Sequence, residues 1–355
     1  MSQSIAELLL DWYDANARTL PWRGSVTPYQ TWVSETMLQQ TRVETVMHYY
    51  PRFIGQFPTI EALASADEAD VLKCWEGMGY YSRARNLHQA AQQVMADFGG
   101  KLPQSIDQLR QLRGVGAYTA GAIASIAFGQ RTAAVDGNAI RVISRALGIR
   151  ENVGIPSVRR QLEDAANALV PAERPGDFNQ AVMDIGATIC VPGTPSCEKC
   201  PLSGVCSAFA EGDADELPVL PRKNPPKVLE YDVLLIRNGD RLLMRQRTEA
   251  MLKGLWVFPM VPGHAAKSAW RSLSRSIGIL AVNIHPAGEA KHVFTHQVWQ
   301  MKLYRLETAD DSAPAGYRYV TMTEMEGLTI PTAMRTAMLE AKKWLGTQEA
   351  SASKE

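Results

Sequence analysis

Leu112-Arg113-Gly114-Val115-Gly116-Ala117-Tyr118-Thr119-Ala120-Gly121-Ala122 is followed, twenty residues past Gly116, by Val135-Asp136-Gly137-Asn138. The first stretch reads as a short helix joined to an Ala/Gly-rich one through a turn that needs two glycines, Gly114 and Gly116. Backbone N–H groups at such a helix start make a site for a phosphate oxygen that is indifferent to base sequence. Taken alone, the stretch reads equally well as an ordinary helix–helix turn. Asp136 precedes the apolar pattern Ile140 to Leu147 and so falls at an expected helix N-cap. Simple capping would account for it.

Outward from this pair the helical pattern continues in both directions. Ile5, Leu8, Leu9 and Trp12 recur at helical spacing, and similar patterns run to about Ala210 between Gly and Pro punctuation. Residues 1–215 therefore read as an all-helical domain. Prolines and lost periodicity mark 216–228 as an extended linker, through Leu217-Pro218-Val219-Leu220-Pro221 to Pro225-Pro226. Beyond it the period shortens to two. Tyr231 to Ile236 and Leu242 to Arg247 flank Asn238-Gly239-Asp240, a hairpin signal, and Val298, Met301, Leu303 and Tyr319-Val320 suggest further strands before a closing helix from Met334 to Leu345. The second domain, 229–346, reads as mixed α/β, and 347–355 as a disordered tail.

The chain has 355 residues, 46% of them hydrophobic, which favours two cores over one. No apolar run approaches membrane-spanning length, and the first residues carry Glu7, Asp11 and Asp14 without early Lys or Arg, so an unexported protein is expected. Formal net charge is zero, with −5 on residues 1–215 and +5 on 216–355. Zero net charge argues against bulk attraction to nucleic acid and leaves local patches and backbone amides to bind any polyanion.

Glu35 lies in Trp32-Val33-Ser34-Glu35-Thr36-Met37-Leu38-Gln39-Gln40-Thr41, a helical, apolar-leaning stretch. A solvent-facing glutamate is the ordinary reading. Its apolar neighbours make burial plausible, and a desolvated carboxyl has a raised pKa and can donate a proton near neutrality. Such a carboxyl could serve as a general acid toward a leaving group.

Four of five cysteines crowd into Cys190, Cys197, Cys200 and Cys206, with three prolines between them. That crowding favours a metal centre over disulfides. Zinc and an iron–sulfur cluster both remain open on chemistry, although zinc ribbons normally carry two Cys-x2-Cys knuckles and this segment has one. Cys74, beside Trp75, reads as a core residue.

The hairpin followed by Asp136 resembles the helix-hairpin-helix DNA glycosylase superfamily, in which that aspartate is catalytic. Leu20-Pro21-Trp22-Arg23, the Glu35 stretch and Gly77-Met78-Gly79-Tyr80-Tyr81-Ser82-Arg83-Ala84-Arg85 are similar to the adenine DNA glycosylase (MutY) family. The resemblance covers nearly the whole chain. It implies Glu35 as general acid toward adenine, Asp136 as stabiliser of an oxocarbenium-like sugar, and Tyr118 and Asn138 as shapers of that site. Arg23 and Gln180 would line the adenine pocket, Gln40 and Tyr80 would fill or wedge the base stack, and Gly114 and Gly116 would face a phosphate. Arg83 and Arg85 read as phosphate contacts or as solvated side chains. Members that also cut the strand carry a lysine where this chain has Tyr118, and a phenol cannot form an imine, so a monofunctional enzyme is implied.

The cysteine spacing is the one these families use for a [4Fe-4S] cluster. The C-terminal part resembles their Nudix-like domain, without the Glu-rich metal-binding helix of active Nudix hydrolases between Pro259 and Ile284. Phe294-Thr295-His296 stands where the family has Phe-Ser-His at the lesion. His292 and His296 invite a metal reading, but on one strand they would lie roughly 13 Å apart. The implied partner is double-stranded DNA with adenine opposite 8-oxoguanine or guanine, met by a monomer in a bacterial, nucleoid-associated cytoplasmic setting. Another helix-hairpin-helix glycosylase with a different lesion, and a catalytically silent DNA-damage binding module, are the competing readings.

Overall fold

The computed structural model describes residues 3–24, 26–222, 224–263, 278–279 and 282–352. Contacts divide the chain into two compact units, one of residues 1–66 with 83–223, the other of residues 67–82 with 224–355. The excursion 67–82, which the sequence places in the helical part, thus clusters with the C-terminal residues.

The first unit is helical: α1 (Ile5–Asn16), α2 (Pro28–Leu38), α3 (Val43–Gln56) and α4 (Ile60–Ser65) precede the excursion, which holds α5 (Glu68–Cys74). After it come α6 (Ser82–Phe98), α7 (Ile106–Leu109), α8 (Ala117–Phe128), α9 (Gly137–Leu147), α10 (Pro156–Leu169), α11 (Pro175–Thr188) and α12 (Ser207–Glu211). Helix starts follow sequence chemistry. Thr27 and Gln30 form a reciprocal cap on α2 with Pro28 at its first turn, and Asp136 caps α9. Leu9, Val142, Phe178 and Ile185 pack α1, α9 and α11 into one core.

α2 is buried almost all round, from Tyr29 and Thr31 through Met37. Such a helix has no solvent face to spend on a charge, so its single glutamate is carried inside. Arg83 closes its far end by donating to the carbonyls of Thr36, Met37 and Gln39 at 2.9, 2.7 and 2.5 Å. This corrects the phosphate reading of Arg83: its guanidinium is buried on the last carbonyls of a helix, where the macrodipole favours a cation.

Residues 216–222, read as linker, belong to the first unit: Leu217 is buried and the Val153 amide donates to the Val219 carbonyl at 3.0 Å.

In the second unit β1 (Lys227–Asn238), β2 (Arg241–Gln246), β3 (Trp256–Val257), β4 (Met260–Pro262), β5 (Val282–Val293), β6 (Gln297–Glu307) and β7 (Tyr317–Val320) build one mixed sheet. The order β3-β2-β1-β6-β5 has β1 and β6 parallel, with β4 on β1 and β7 on β2 antiparallel. β1 reads as a continuous apolar run because both its faces are covered. Val233 and Leu235 face one core with α14 (Arg335–Ala352), and Leu234 and Ile236 face the other; α13 (Met322–Gly327) adds Met325 to the first. The β1–β2 turn sits at the expected Asn-Gly, with Gly239 at φ +58°. α14 runs to Ala352, six residues into the stretch read as a disordered tail. Most of residues 259–284, where the sequence carries no Glu-rich metal-binding helix, lies outside the described residues. Among the described residues no helix is long and apolar enough to cross a membrane.

Candidate active site

The approach to Asp136 is set by close packing. On α8, a Cβ at Gly121 would meet the Ala133 carbonyl oxygen at 2.5 Å, so only glycine lets the 132–135 segment lie against this helix. The buried Asn179 amide then ties that segment down. It receives the Ala134 N–H and donates to Ser125, to the Thr132 carbonyl and to the Pro175 carbonyl. Asp136 emerges at the start of α9, accepting from the Ala139 N–H at 2.7 Å and from Asn138 Nδ2 at 2.9 Å.

Glu35 and Asp136, a hundred residues apart in sequence, line one cavity of about 130 Å³, with Tyr118, Asn138, Arg23 and Gln180 among its other walls. The Tyr118 hydroxyl donates to Glu35 Oε2 at 2.5 Å. Burial dominates the electrostatics. It lifts the Glu35 carboxyl to about 7, with Asp136 pushing the same way and the bonds to Tyr118 and the charge of Arg23 opposing. Asp136 is also raised by burial, but Ala139, Asn138 and Arg141 offset part of the effect. The Tyr118 phenol is held protonated by burial and the two carboxylates. One carboxyl therefore keeps a proton near neutral pH beside another that gives its proton up more readily, a division of labour that suits acid-assisted cleavage.

Sequence reasoning missed Asp184. Its fully buried carboxylate takes Arg23 through both oxygens, at 2.6 and 2.8 Å, and Arg18 through Nε at 2.7 Å. Burial would raise this carboxyl, but the two guanidiniums hold it below the usual range. The clamp fixes Arg23 in the cavity wall. The available signal was helical spacing, since Asp184 lies one turn past Gln180 in otherwise apolar Ala181-Val182-Met183-Ile185.

Gly114 and Gly116 lie outside this cavity, in the α7–α8 turn. Gly114 has φ +77°, and a Cβ there would meet Asn86 Cβ at 2.7 Å. Gly116, the N-cap of α8, has φ −86° and open space around it. The expectation that the turn needs two glycines is thereby corrected: backbone geometry requires only the first. Gln40 is exposed just past α2, at φ +54°.

In the second unit Tyr80, at φ +48° and 44% exposed, meets Thr295, with 2.5 Å between Oη and Oγ1. Phe294-Thr295-His296 forms the β5–β6 turn; Phe294 stacks edge-on against Trp299 while Thr295 and His296 are exposed. His292 and His296 are therefore not four residues along one strand, because the chain turns between them. Cys74 is buried, as its neighbour Trp75 suggests, and so is Tyr81.

Cys190, Cys197, Cys200 and Cys206 line one small cavity of about 20 Å³ together with Arg145. Arg145 Nη1 donates to Cys190 Sγ at 3.3 Å. Burial raises Cys197 and lifts Cys200 to about 11, so thiolates here call for a cation. Among the described residues no group of three or more His, Cys, Asp or Glu side chains has the geometry of a metal-ion site. Four soft donors around a cavity, with one guanidinium, fit an anionic iron–sulfur cluster.

The HhH-GPD superfamily base excision DNA repair protein model matches residues 33–168, and a NUDIX domain matches 232–340. The fold and the paired carboxyls thus define a helix-hairpin-helix base excision DNA glycosylase with an appended Nudix-like sheet domain. The chain is 36% identical to the adenine DNA glycosylase of Mus musculus over 390 residues, covering 92% of this chain and 76% of the relative. It is 37% identical to that of Homo sapiens over 395 residues, covering 92% and 72%. A solved thermostable thymine-DNA glycosylase superposes with TM-score 0.53 at 31% identity, covering 58% of this chain and 95% of the other. The chain belongs to the adenine DNA glycosylase family and is an adenine-specific DNA N-glycosylase.

Proposed function

We propose that the enzyme acts on adenine opposite 8-oxoguanine or guanine in double-stranded DNA, everts it into the Glu35 cavity and hydrolyses its glycosidic bond without cutting the strand. The observation that carries this reading is the shared cavity of Glu35 and Asp136, with Glu35 lifted to about 7. Glu35 gives its proton to a ring nitrogen of adenine as the C1′–N9 bond breaks, and the bonding pair leaves with the base. Asp136, ionised, stabilises the positive sugar until water adds at C1′ and gives its proton to the Glu35 carboxylate, which restores the acid. The hydroxyl of Tyr118 and the amide of Asn138 orient the two carboxyls. Arg23 and Gln180 flank the base.

Tyr118 supplies no amine for a Schiff base, which supports a monofunctional enzyme leaving an abasic site. Gln40 and Tyr80 fill the stack that the base vacates, and the turn at Gly114 and Gly116 receives a backbone phosphate. Phe294, Thr295 and His296 read the opposing lesion from the exposed β5–β6 turn. The chain then works as a helical catalytic part, 1–215, and a Nudix-like reader, 229–346, joined by 216–228, and acts as a cytoplasmic, nucleoid-associated monomer.

Cys190, Cys197, Cys200 and Cys206 would hold a [4Fe-4S] cluster, whose contribution is to staple the loop after α11. Iron and inorganic sulfide near four per chain are expected on isolation, and stoichiometric zinc without sulfide would overturn the assignment.

The test of the activity is incubation with duplexes carrying adenine opposite 8-oxoguanine, followed by hot alkali. Adenine loss is expected, with Glu35→Gln and Asp136→Asn binding the duplex but not turning over. Release of oxidised pyrimidines without adenine, or binding without base release, would sink the reading.

A further inference from the structure

The first turn of α8 holds a second residue of α2 besides the acid. Tyr118 and Thr119 are consecutive there, and they reach Glu35 and Gln39, which fall four residues apart and so on one side of α2. Thr119 is 2% exposed, and its Oγ1 accepts from Gln39 Nε2 at 2.9 Å. Gln39 is the C-cap of α2, and the chain turns at once. The Thr41 N–H returns to the Leu38 carbonyl at 3.2 Å, with exposed Gln40 at the tip of the turn.

Both neighbours of that tip are tied. The Arg83 guanidinium donates to the Gln39 carbonyl at 2.5 Å and to Thr41 Oγ1 at 2.8 Å. Gln40 itself stands at φ +54°, a conformation that glycine adopts freely and that a residue with a Cβ keeps only where its surroundings impose it. Arg83 fixes the backbone of the turn, and the Gln39 amide carries the turn to the same stretch of α8 that supplies the phenol on Glu35. A side chain that enters a base stack must do so at a set distance from the acid that meets the everted base, because small misplacements at such a site are costly. We propose that Gln39 is a positioning residue: its amide, anchored on Thr119, holds Gln40 in register with Glu35, so that the gap is filled as adenine leaves the stack. The proposal rests on base eversion and on stack filling by Gln40 as read above.

The test uses duplexes with adenine opposite 8-oxoguanine and 2-aminopurine as its 3′ neighbour, whose fluorescence rises when the adenine leaves the stack. Single-turnover release, the fluorescence rise at saturating protein and thermal melting are compared for the parent chain, Gln39→Met, Thr119→Val, Thr119→Ser, Gln40→Ala and the Gln39→Met/Gln40→Ala double variant. Gln39→Met and Thr119→Val are each expected to slow release about fivefold and to diminish the rise, while melting near the parent and keeping its pH profile. Thr119→Ser should keep the rate within about twofold. In the Gln40→Ala background Gln39→Met should cost nothing further, because the residue it positions is gone. Release by Gln39→Met at the parent rate, a loss of rate that comes with a lower melting point in both Gln39→Met and Thr119→Val, a shifted pH profile, or an undiminished further loss in the Gln40→Ala background would each overturn the proposal. The shifted profile would place Gln39 in the service of Glu35 instead of Gln40. A parent that gives no fluorescence rise, or Gln40→Ala behaving as the parent does, would instead sink the underlying reading, whatever the Gln39 and Thr119 variants do.

Discussion

The Tyr118 hydroxyl donates a 2.5 Å hydrogen bond to Glu35 Oε2 across 83 residues of sequence. The bond joins the first turn of α8 to the middle of α2, and it leaves Glu35 one oxygen on which to carry its proton. A phenol that stays neutral is suited to this, since it donates a hydrogen bond without delivering a charge that would force the carboxyl to ionise.

The pH profile follows from that arrangement. Glu35 must be protonated to act, so single-turnover adenine release should hold on the acid side of pH 7 and fall about tenfold per unit above it. At lower pH it should fall again as Asp136, itself raised by burial, takes a proton. A rate that climbs from pH 6 to 8 would make Glu35 a base and not an acid.

Stability should show the same group with the sign reversed. Between its ordinary value and about 7 the folded chain holds a proton that the unfolded chain has lost, so Glu35 erodes stability as pH rises through this window. Glu35→Gln removes the effect. It should melt higher than the parent at pH 8, by up to about 3 kcal/mol in unfolding free energy, and nearly equal to it at pH 4. Urea denaturation at both pH values measures the difference.

Asp184→Asn leaves Arg18 and Arg23 without their shared carboxylate. Because Asp184 and Arg23 are largely out of water, unfolding free energy should drop by about 3 kcal/mol, and base release should slow as Arg23 leaves the cavity wall. Arg18 is more exposed, so Arg18→Ala should cost less than 1 kcal/mol or so. Equal effects of the two would mean that the clamp does not single out Arg23.

The two hairpin glycines should separate stability from binding. Gly114→Ala forces a Cβ into a positive-φ position against Asn86, and about 1–3 kcal/mol of stability should be lost. Gly116→Ala meets nothing in the protein, so its melting point should hold while duplex affinity falls. Unchanged affinity would remove the phosphate from this turn.

Thr295→Val deletes the hydroxyl that Tyr80 meets. The expected outcome is a reduced preference for 8-oxoguanine over guanine opposite adenine, with the pH profile of adenine release unmoved. A shift in that profile would tie Thr295 to the chemistry instead of to lesion reading.

What the residues alone determined about this protein was local. Glycines around a turn, an aspartate before an apolar helix, a glutamate without charged neighbours and four crowded cysteines each state their chemistry over a few positions, because capping, periodicity and ligand spacing are short-range. The second part was legible for the same reason: a period of two and Asn238-Gly239 need no distant partner. Only the tertiary structure decided which of these act together. Asp184 looks like one more surface acid until α11 turns it inward onto Arg18 and Arg23. Arg83 looks like a phosphate ligand until it closes the end of α2. Burial and the company of distant side chains fix a proton's affinity and a cation's partner, and those are set by how helices pack, which no window of neighbouring residues contains.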